Sequence, residues 1–306
     1  MIKTAVIGAG YLGIIHAKIY SRLKNSKIVA ICDMDQSKEK LAKELGVEFF
    51  TDYKQIKNVD AVSIVTPTPE HHDVGLFFLQ QNIPCLIEKP LAATVEQGKK
   101  LCEAGKNTIL QVGHIEQFNP AIREARQYIT EPWFFNAIRT SPYPFRSTDV
   151  SVVFDLMIHD IYLAISLIGE MPYKIYAEGS SVFSTSEDVA NARLEFPCGC
   201  TANLMASRIS AEKKRTIQIF QKNNHLSLDL LNGNGIYFNK SKDYSTATQH
   251  NELMDKFILS NDGVGSLDAE LMNFIENVEK NIKPVIDGEA GLNALCVAES
   301  ILNTIN

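Results

Sequence analysis

Over the first 113 residues, short and nearly unbroken apolar runs alternate with stretches of helical periodicity, and no other feature narrows the possible folds as much. The runs are "TAVIGAG", "KIVAICD", "DAVSIVTPTP", "PCLIEKP" and "TILQVGH". Between them lie a helix ending near Leu23, one from Ser37 to Leu45, one from His71 and one from Thr94. A strand apolar on both sides must be covered on both faces, and intervening helices supply that cover while forcing the strands parallel. The pattern predicts a doubly wound parallel sheet over 1–120. Such sheets keep their ligands outside the carboxyl ends of the strands.

The alternation stops near Pro120. Beyond it, "FFNAIRTSPYPF", "KIYAEGSSVF", "ANARLEF", "TANLMASRI" and "RTIQIFQ" alternate with a period of two and have few helices between them, which predicts an α+β domain over 121–306 with a largely antiparallel, open sheet. The strands from Ala190 to Gln221 carry few charges on one face, so a homodimer or homotetramer packed on that face is expected. A helical stretch from Glu289 to Leu302 can return to either domain.

Composition enters as a set of exclusions. Of 306 residues, 45% are hydrophobic and 22% charged, which excludes disorder and fits two cores. A net charge of -6 with scattered lysines and arginines excludes a nucleic-acid surface. The apolar stretch Val150–Gly169 carries Asp155, His159 and Asp160, too costly a set for a membrane span, and reads as a buried helix bearing functional groups. No leader precedes the first apolar run and the six cysteines suit a reducing compartment, so a cytoplasmic protein is expected. Cys198-Gly199-Cys200 is too closely spaced for a zinc knuckle, and no metal site is expected.

The chemistry-bearing motifs fall at strand ends. Gly8-Ala9-Gly10-Tyr11-Leu12-Gly13 follows the first strand and opens a helix, where glycines allow a tight turn and the helix N-terminus offers free N–H groups to a pyrophosphate. Asp33 ends the second strand, where a carboxylate can accept from both ribose hydroxyls. Met34 and Asp35 follow it with no arginine for a 2′-phosphate, which favours NAD over NADP. "TPTPEHH" (66–72) places two prolines at another strand end and reads as a rigid turn. Glu88-Lys89-Pro90 puts an ammonium at the same edge, able to stabilise a developing alkoxide. Asp155 and His159, four apart, share one face of the apolar helix, and histidine suits the base that takes a hydroxyl proton; a core histidine satisfied by a local carboxylate is the plainer alternative.

In this order, the glycine turn, "TPTPEHH", "EKP", "GHIEQFNP" and "DLMIH" resemble the glucose–fructose oxidoreductase / inositol dehydrogenase family of NAD(P)-dependent sugar dehydrogenases, over essentially the whole chain. The resemblance implies an N-terminal Rossmann domain with Thr66, Pro67, His71, Glu88 and Lys89 around the cofactor. Lys89, His159 and Asp155 become the catalytic group, and Glu116 and Asn119 contact substrate. "GHIEQFNPA", "FDLMIHDI" and "ASRISAEKKRTIQIF" are similar to the branch oxidising the 3-hydroxyl of UDP-N-acetylglucosamine or its uronic acid, although Gln117 stands where that branch often has arginine. Arg208, Lys213 and Arg215 are cations of the sort a diphosphate needs, or else a solvated hairpin rim. The expected activity is oxidation of a ring hydroxyl, most specifically C3 of a UDP-N-acetylhexosamine. A dehydrogenase of free sugars or inositols and a non-catalytic redox sensor remain the alternatives.

Overall fold

The computed structural model describes residues 1–144, 150–241, 249 and 252–305. The chain forms two compact units, Met1–His114 with Leu267–Leu295, and Ile115–Ser266 with Cys296–Asn306.

In the first unit β1 (Ile2–Ile7), α1 (Tyr11–Tyr20), β2 (Ser26–Cys32), α2 (Glu39–Leu45), β3 (Glu48–Phe50), β4 (Ala61–Ile64), α3 (His71–Leu79), β5 (Cys85–Glu88), α4 (Val95–Ala104) and β6 (Leu110–Gly113) follow one another. All strand pairs are parallel, in the order β3-β2-β1-β4-β5-β6. Every residue of β4, β5 and β6 is buried, as strands covered on both faces require. The direction of winding reverses between β1 and β4. Val65 N–H donates to Ile7 O (2.7 Å), and Gly8 N–H donates to Cys32 O (2.8 Å). Such a switch point opens a crevice at the carboxyl ends of the two strands.

In the second unit α5 (Pro120–Ala125) and β7 (Pro132–Thr140) lead to a π-helical turn over Val153–Met157 that runs into α6 (Ile158–Ile168). Then come β8 (Lys174–Ser180), β9 (Val189–Glu195), β10 (Thr201–Ser207), β11 (Lys214–Gln221), β12 (Asn224–Asp229), β13 (Asn234–Lys240) and β14 (Met254–Leu259). They form one sheet in the order β14-β13-β12-β11-β7-β10-β9-β8, antiparallel throughout except for β7 beside β10. Helices α5 and α6 pack on one face, where Ile217, Ile219, Leu226 and Leu228 are buried. The expected strand "FFNAIRTSPYPF" is β7 as far as Thr140; its last residue, Phe145, lies outside the described residues.

The chain then turns back. Helix α7 (Ser266–Lys280) and the part of α8 (Gly288–Ile305) up to Leu295 belong to the first unit. Leu271, Phe274 and Ile275 of α7 join Val6, Ala17, Tyr20, Ile28 and Ile31 in one core. The expected division was at residue 120 with everything after it in a second domain, whereas α7 and the start of α8 group with the N-terminal unit. An amphipathic helix goes where its apolar face is buried, and that face completes the N-terminal core. No helix among the described residues is long and apolar enough to cross a membrane.

Candidate active site

The glycine turn is shaped to admit a ligand. Gly8 has φ +93°, a conformation that L side chains rarely adopt, and a Cβ there would meet Val65 O at 2.5 Å. At Gly13 a Cβ would come within 1.9 Å of Gly8 O, so only glycine lets α1 approach the turn. Gly10 caps α1 without any side-chain hydrogen bond, and nothing lies within 4 Å of where its Cβ would be. The first-turn N–H groups thus face open space, a cradle suited to a pyrophosphate. A cavity of about 620 Å³ extends from it, lined by Gly8, Gly10, Asp33, Met34, Thr66 and Pro67. Asp33 is oriented by two backbone donors, Ala9 N–H to Oδ2 (2.6 Å) and Asp35 N–H to Oδ1 (2.9 Å). Each carboxylate oxygen retains a lone pair for a ribose hydroxyl. Tyr11 is exposed and Leu12 half-buried in the first turn of α1.

Behind this wall the structure gives two expected cofactor contacts other work. His71 is buried and absent from the cavity lining; its ring lies 2.9 Å from Pro90 O and 2.9 Å from Thr66 O. Glu88 is buried with Oε1 3.3 Å from Nε2 of His16, while its Oε2 accepts from Lys89 N–H (3.3 Å). Both side chains are buried and engaged by protein groups. Lys89 itself is half-buried just beyond β5. Burial, and then the nearby Lys89 ammonium, push the His114 imidazole down to about 3, so this histidine stays neutral.

A second buried acid joins Glu88 from far along the chain. Glu270 of α7 is 0% exposed, and neither of its carboxyl oxygens has a hydrogen-bond partner among the described residues. Burial and then the Glu88 charge raise its pKa well above the ordinary carboxyl value, so it keeps its proton. Sequence reasoning missed His16, His114 and Glu270. His114 alone stood within a quoted motif, "GHIEQFNP", and was given no role.

In the second unit Asp155 lies within the π-helical turn and His159 in the first turn of α6, both half-buried. Insertions of this kind in a helix are frequent at functional sites. Beside them is a buried ion network. Arg139 donates to Asp160 through Nε (2.9 Å) and Nη2 (2.7 Å), and to Glu116 through Nη1 (2.7 Å). Glu116 also accepts from Asn119 (3.0 Å) and Arg215 (3.3 Å). Asn119 donates in addition to Leu230 O (2.8 Å) and caps α5 through Ala121 N–H (3.1 Å). Glu116, expected with Asn119 to contact substrate, is 3% exposed, and these bonds engage both side chains. Arg208 is likewise held by protein groups. It is 1% exposed and donates to Asp188 (2.7 Å), Val150 O (2.5 Å) and Ser186 Oγ (3.0 Å). Lys213 is exposed and Arg215 half-buried. Burial and the neighbouring Arg139 charge lower the Arg215 pKa, against Glu116, Asp160 and Asp155. Arg215 is thus within electrostatic reach of Asp155.

The sheet order, the glycine cradle and the oriented carboxylate define an NAD-binding Rossmann protein. A family model described as "Oxidoreductase family, NAD-binding Rossmann fold" matches residues 2–114, and one described as "GFO/IDH/MocA C-terminal domain" matches 121–226. The chain belongs to this GFO/IDH/MocA family, and it is an NAD-binding oxidoreductase acting on CH-OH groups. It is 32% identical over 303 residues to UDP-N-acetylglucosamine 3-dehydrogenase of Acidithiobacillus ferrooxidans, covering 97% of this chain and 95% of that one. A solved structure of that enzyme superposes with a TM-score of 0.91 at 30% identity, covering 99% of this chain and 97% of the other. The scyllo-inositol 2-dehydrogenase (NAD(+)) of Bacillus subtilis is 29% identical over 232 residues, 68% of each chain.

Proposed function

We propose that the protein oxidises a ring hydroxyl of a nucleotide sugar, C3 of a UDP-N-acetylhexosamine. The observation that carries this reading is the half-buried pair Asp155 and His159 at the π-helical turn, with the Arg215 guanidinium within electrostatic reach. A base, a hydroxyl-binding carboxylate and a cation in one unit match what an anionic sugar nucleotide needs. The end-to-end similarity to a UDP-N-acetylglucosamine 3-dehydrogenase supports the choice of sugar.

NAD in the glycine cradle supplies the hydride acceptor. His159 or Lys89 takes the hydroxyl proton, Lys89 also donating a hydrogen bond to the oxygen as negative charge develops on it. Asp155 accepts from a neighbouring sugar hydroxyl, while Arg215 and the exposed Lys213 attract the diphosphate. The open sheet face suits a second copy of the chain. Asn136, Asn203 and Gln218 are neighbours at the centre of that face, flanked by Ile138, Met205 and Thr216, all uncharged.

A second reading, oxidation of a free inositol, is favoured by the similarity to the scyllo-inositol enzyme. NADH formation with UDP-N-acetylglucosamine, UDP-N-acetylgalactosamine, glucose, myo-inositol and scyllo-inositol separates the two. Turnover only with UDP-sugars supports the proposal, and turnover only with inositols overturns it.

A further inference from the structure

The His71 ring lies between two backbone carbonyls, Nδ1 at 2.9 Å from Pro90 O and Nε2 at 2.9 Å from Thr66 O, and the side chain is 1% exposed. These carbonyls belong to different turns, one following β4 and the other following β5. Thr66 and Pro67 line the cofactor cavity, and Pro90 follows Lys89 directly. A neutral imidazole has a single N–H and a lone pair on its other nitrogen; a carbonyl facing that lone pair gains no bond. Only the imidazolium donates from both nitrogens.

We propose that His71 is a positioning residue whose ring braces the Thr66 turn against the Pro90 turn, so that one side chain sets both the wall of the cofactor cavity and the backbone that carries Lys89. The brace is half-made with a neutral ring and complete when both nitrogens donate. The effect on Lys89 rests on the dehydrogenase reading, whereas the effect on the cavity wall needs only an NAD-binding domain. Four groups favour the charged ring: the carbonyls of Pro90 and Thr66, the Glu88 carboxylate at the end of β5, and Glu70 immediately before α3. Burial outweighs them and lowers the His71 pKa from its ordinary value. The second bond is therefore added on acidification below the usual histidine range, and cofactor affinity rises with it.

The test is NADH binding by the full chain, followed by nicotinamide fluorescence from about pH 8 to about pH 4, through the ordinary histidine range and below it. Wild type is expected to bind NADH several-fold more tightly at the acid end. His71→Gln is expected to bind roughly tenfold more weakly there, the worth of about one hydrogen bond, and to lack the wild-type rise. His71→Ala should regain part of its lost affinity when free imidazole is added, a recovery that general destabilisation does not give. A His71→Gln curve that overlays wild type overturns the proposal, as does a folded His71→Ala whose affinity imidazole leaves unchanged. Because NADH is the only probe, a wild type that binds it with this pH dependence yet oxidises no sugar would remove the proposed function and leave the brace standing.

Discussion

His16 Nε2 lies 3.3 Å from Glu88 Oε1, joining the helix that begins at the glycine turn to the residue before Lys89, with both side chains buried. The nearby Glu270 is the more unusual member of this group, since it is buried as a neutral acid. A carboxyl group whose folded pKa is raised holds a proton that the unfolded chain has already released. Its stabilising contribution is complete below the ordinary value of 4.5 and is lost as pH rises toward the raised one. Glu270→Gln removes this titration. In urea unfolding of the apoprotein, the variant should gain on wild type by about 1.4 kcal/mol for each pH unit above that value over which only the native state keeps the proton. Parallel stability curves for the two proteins would contradict the neutral Glu270.

Arg208 provides a test of burial against sequence. Arg208→Ala leaves Asp188 buried without its guanidinium, a loss worth about 3–5 kcal/mol. The expected result is a large fall in the urea midpoint, and no selective rise in KM for UDP-sugars in the protein that remains folded.

Cofactor choice depends on Asp33. Asp33→Ala should weaken NADH binding by roughly tenfold or more through the lost ribose contacts, with NADPH affected much less, as isothermal titration would show. Wild type that already binds NADPH as tightly as NADH removes the basis of the assignment.

For the chemistry, Lys89→Ala and His159→Ala should each leave NADH affinity within a few-fold of wild type. Hydride transfer measured by stopped flow should fall by roughly a hundredfold or more. Arg215→Ala should act chiefly on KM for a UDP-sugar.

Assembly is checked by light scattering. Wild type is expected to be a dimer or tetramer, and Met205→Glu, which puts a charge on the uncharged centre of the open sheet face, should shift it toward monomers. A monomeric wild type would rule out that use of the face.

The first unit was legible in the sequence because β4, β5 and β6 are fully buried and β1 and β2 nearly so, and such burial leaves an apolar run that surface requirements hardly interrupt. β3 escaped because Glu48–Phe50 is too short to show a period. β12 to β14 escaped because their outward residues include His225, Phe238 and Ile258, which blur the polar half of the alternation. At the site, Gly8, Gly13 and Asp33 were readable since backbone geometry demands those residue types at that spacing. The burial of Glu116, Asn119 and Arg208 was not readable, because a charged or polar side chain looks the same in sequence whether it meets a ligand or a buried partner. Only the fold brings Arg139 and Asp160 to Glu116, or Asp188 to Arg208. The π-helical turn, an i→i+5 register, leaves no signature in a pattern read at 3.6.

The return of α7 to the N-terminal core has a consequence for biosynthesis. When a ribosome has delivered β1 to β6, the pocket for Leu271, Phe274 and Ile275 is still empty, and more than half of the chain remains to be made. At about 5–20 residues per second the unfinished core stays open for roughly ten seconds or longer, with apolar surface exposed to chaperones and to other nascent chains. A stop codon anywhere before α7 therefore yields more than a protein lacking its tail: it yields a cofactor domain that never closes, and whose fate is degradation or aggregation.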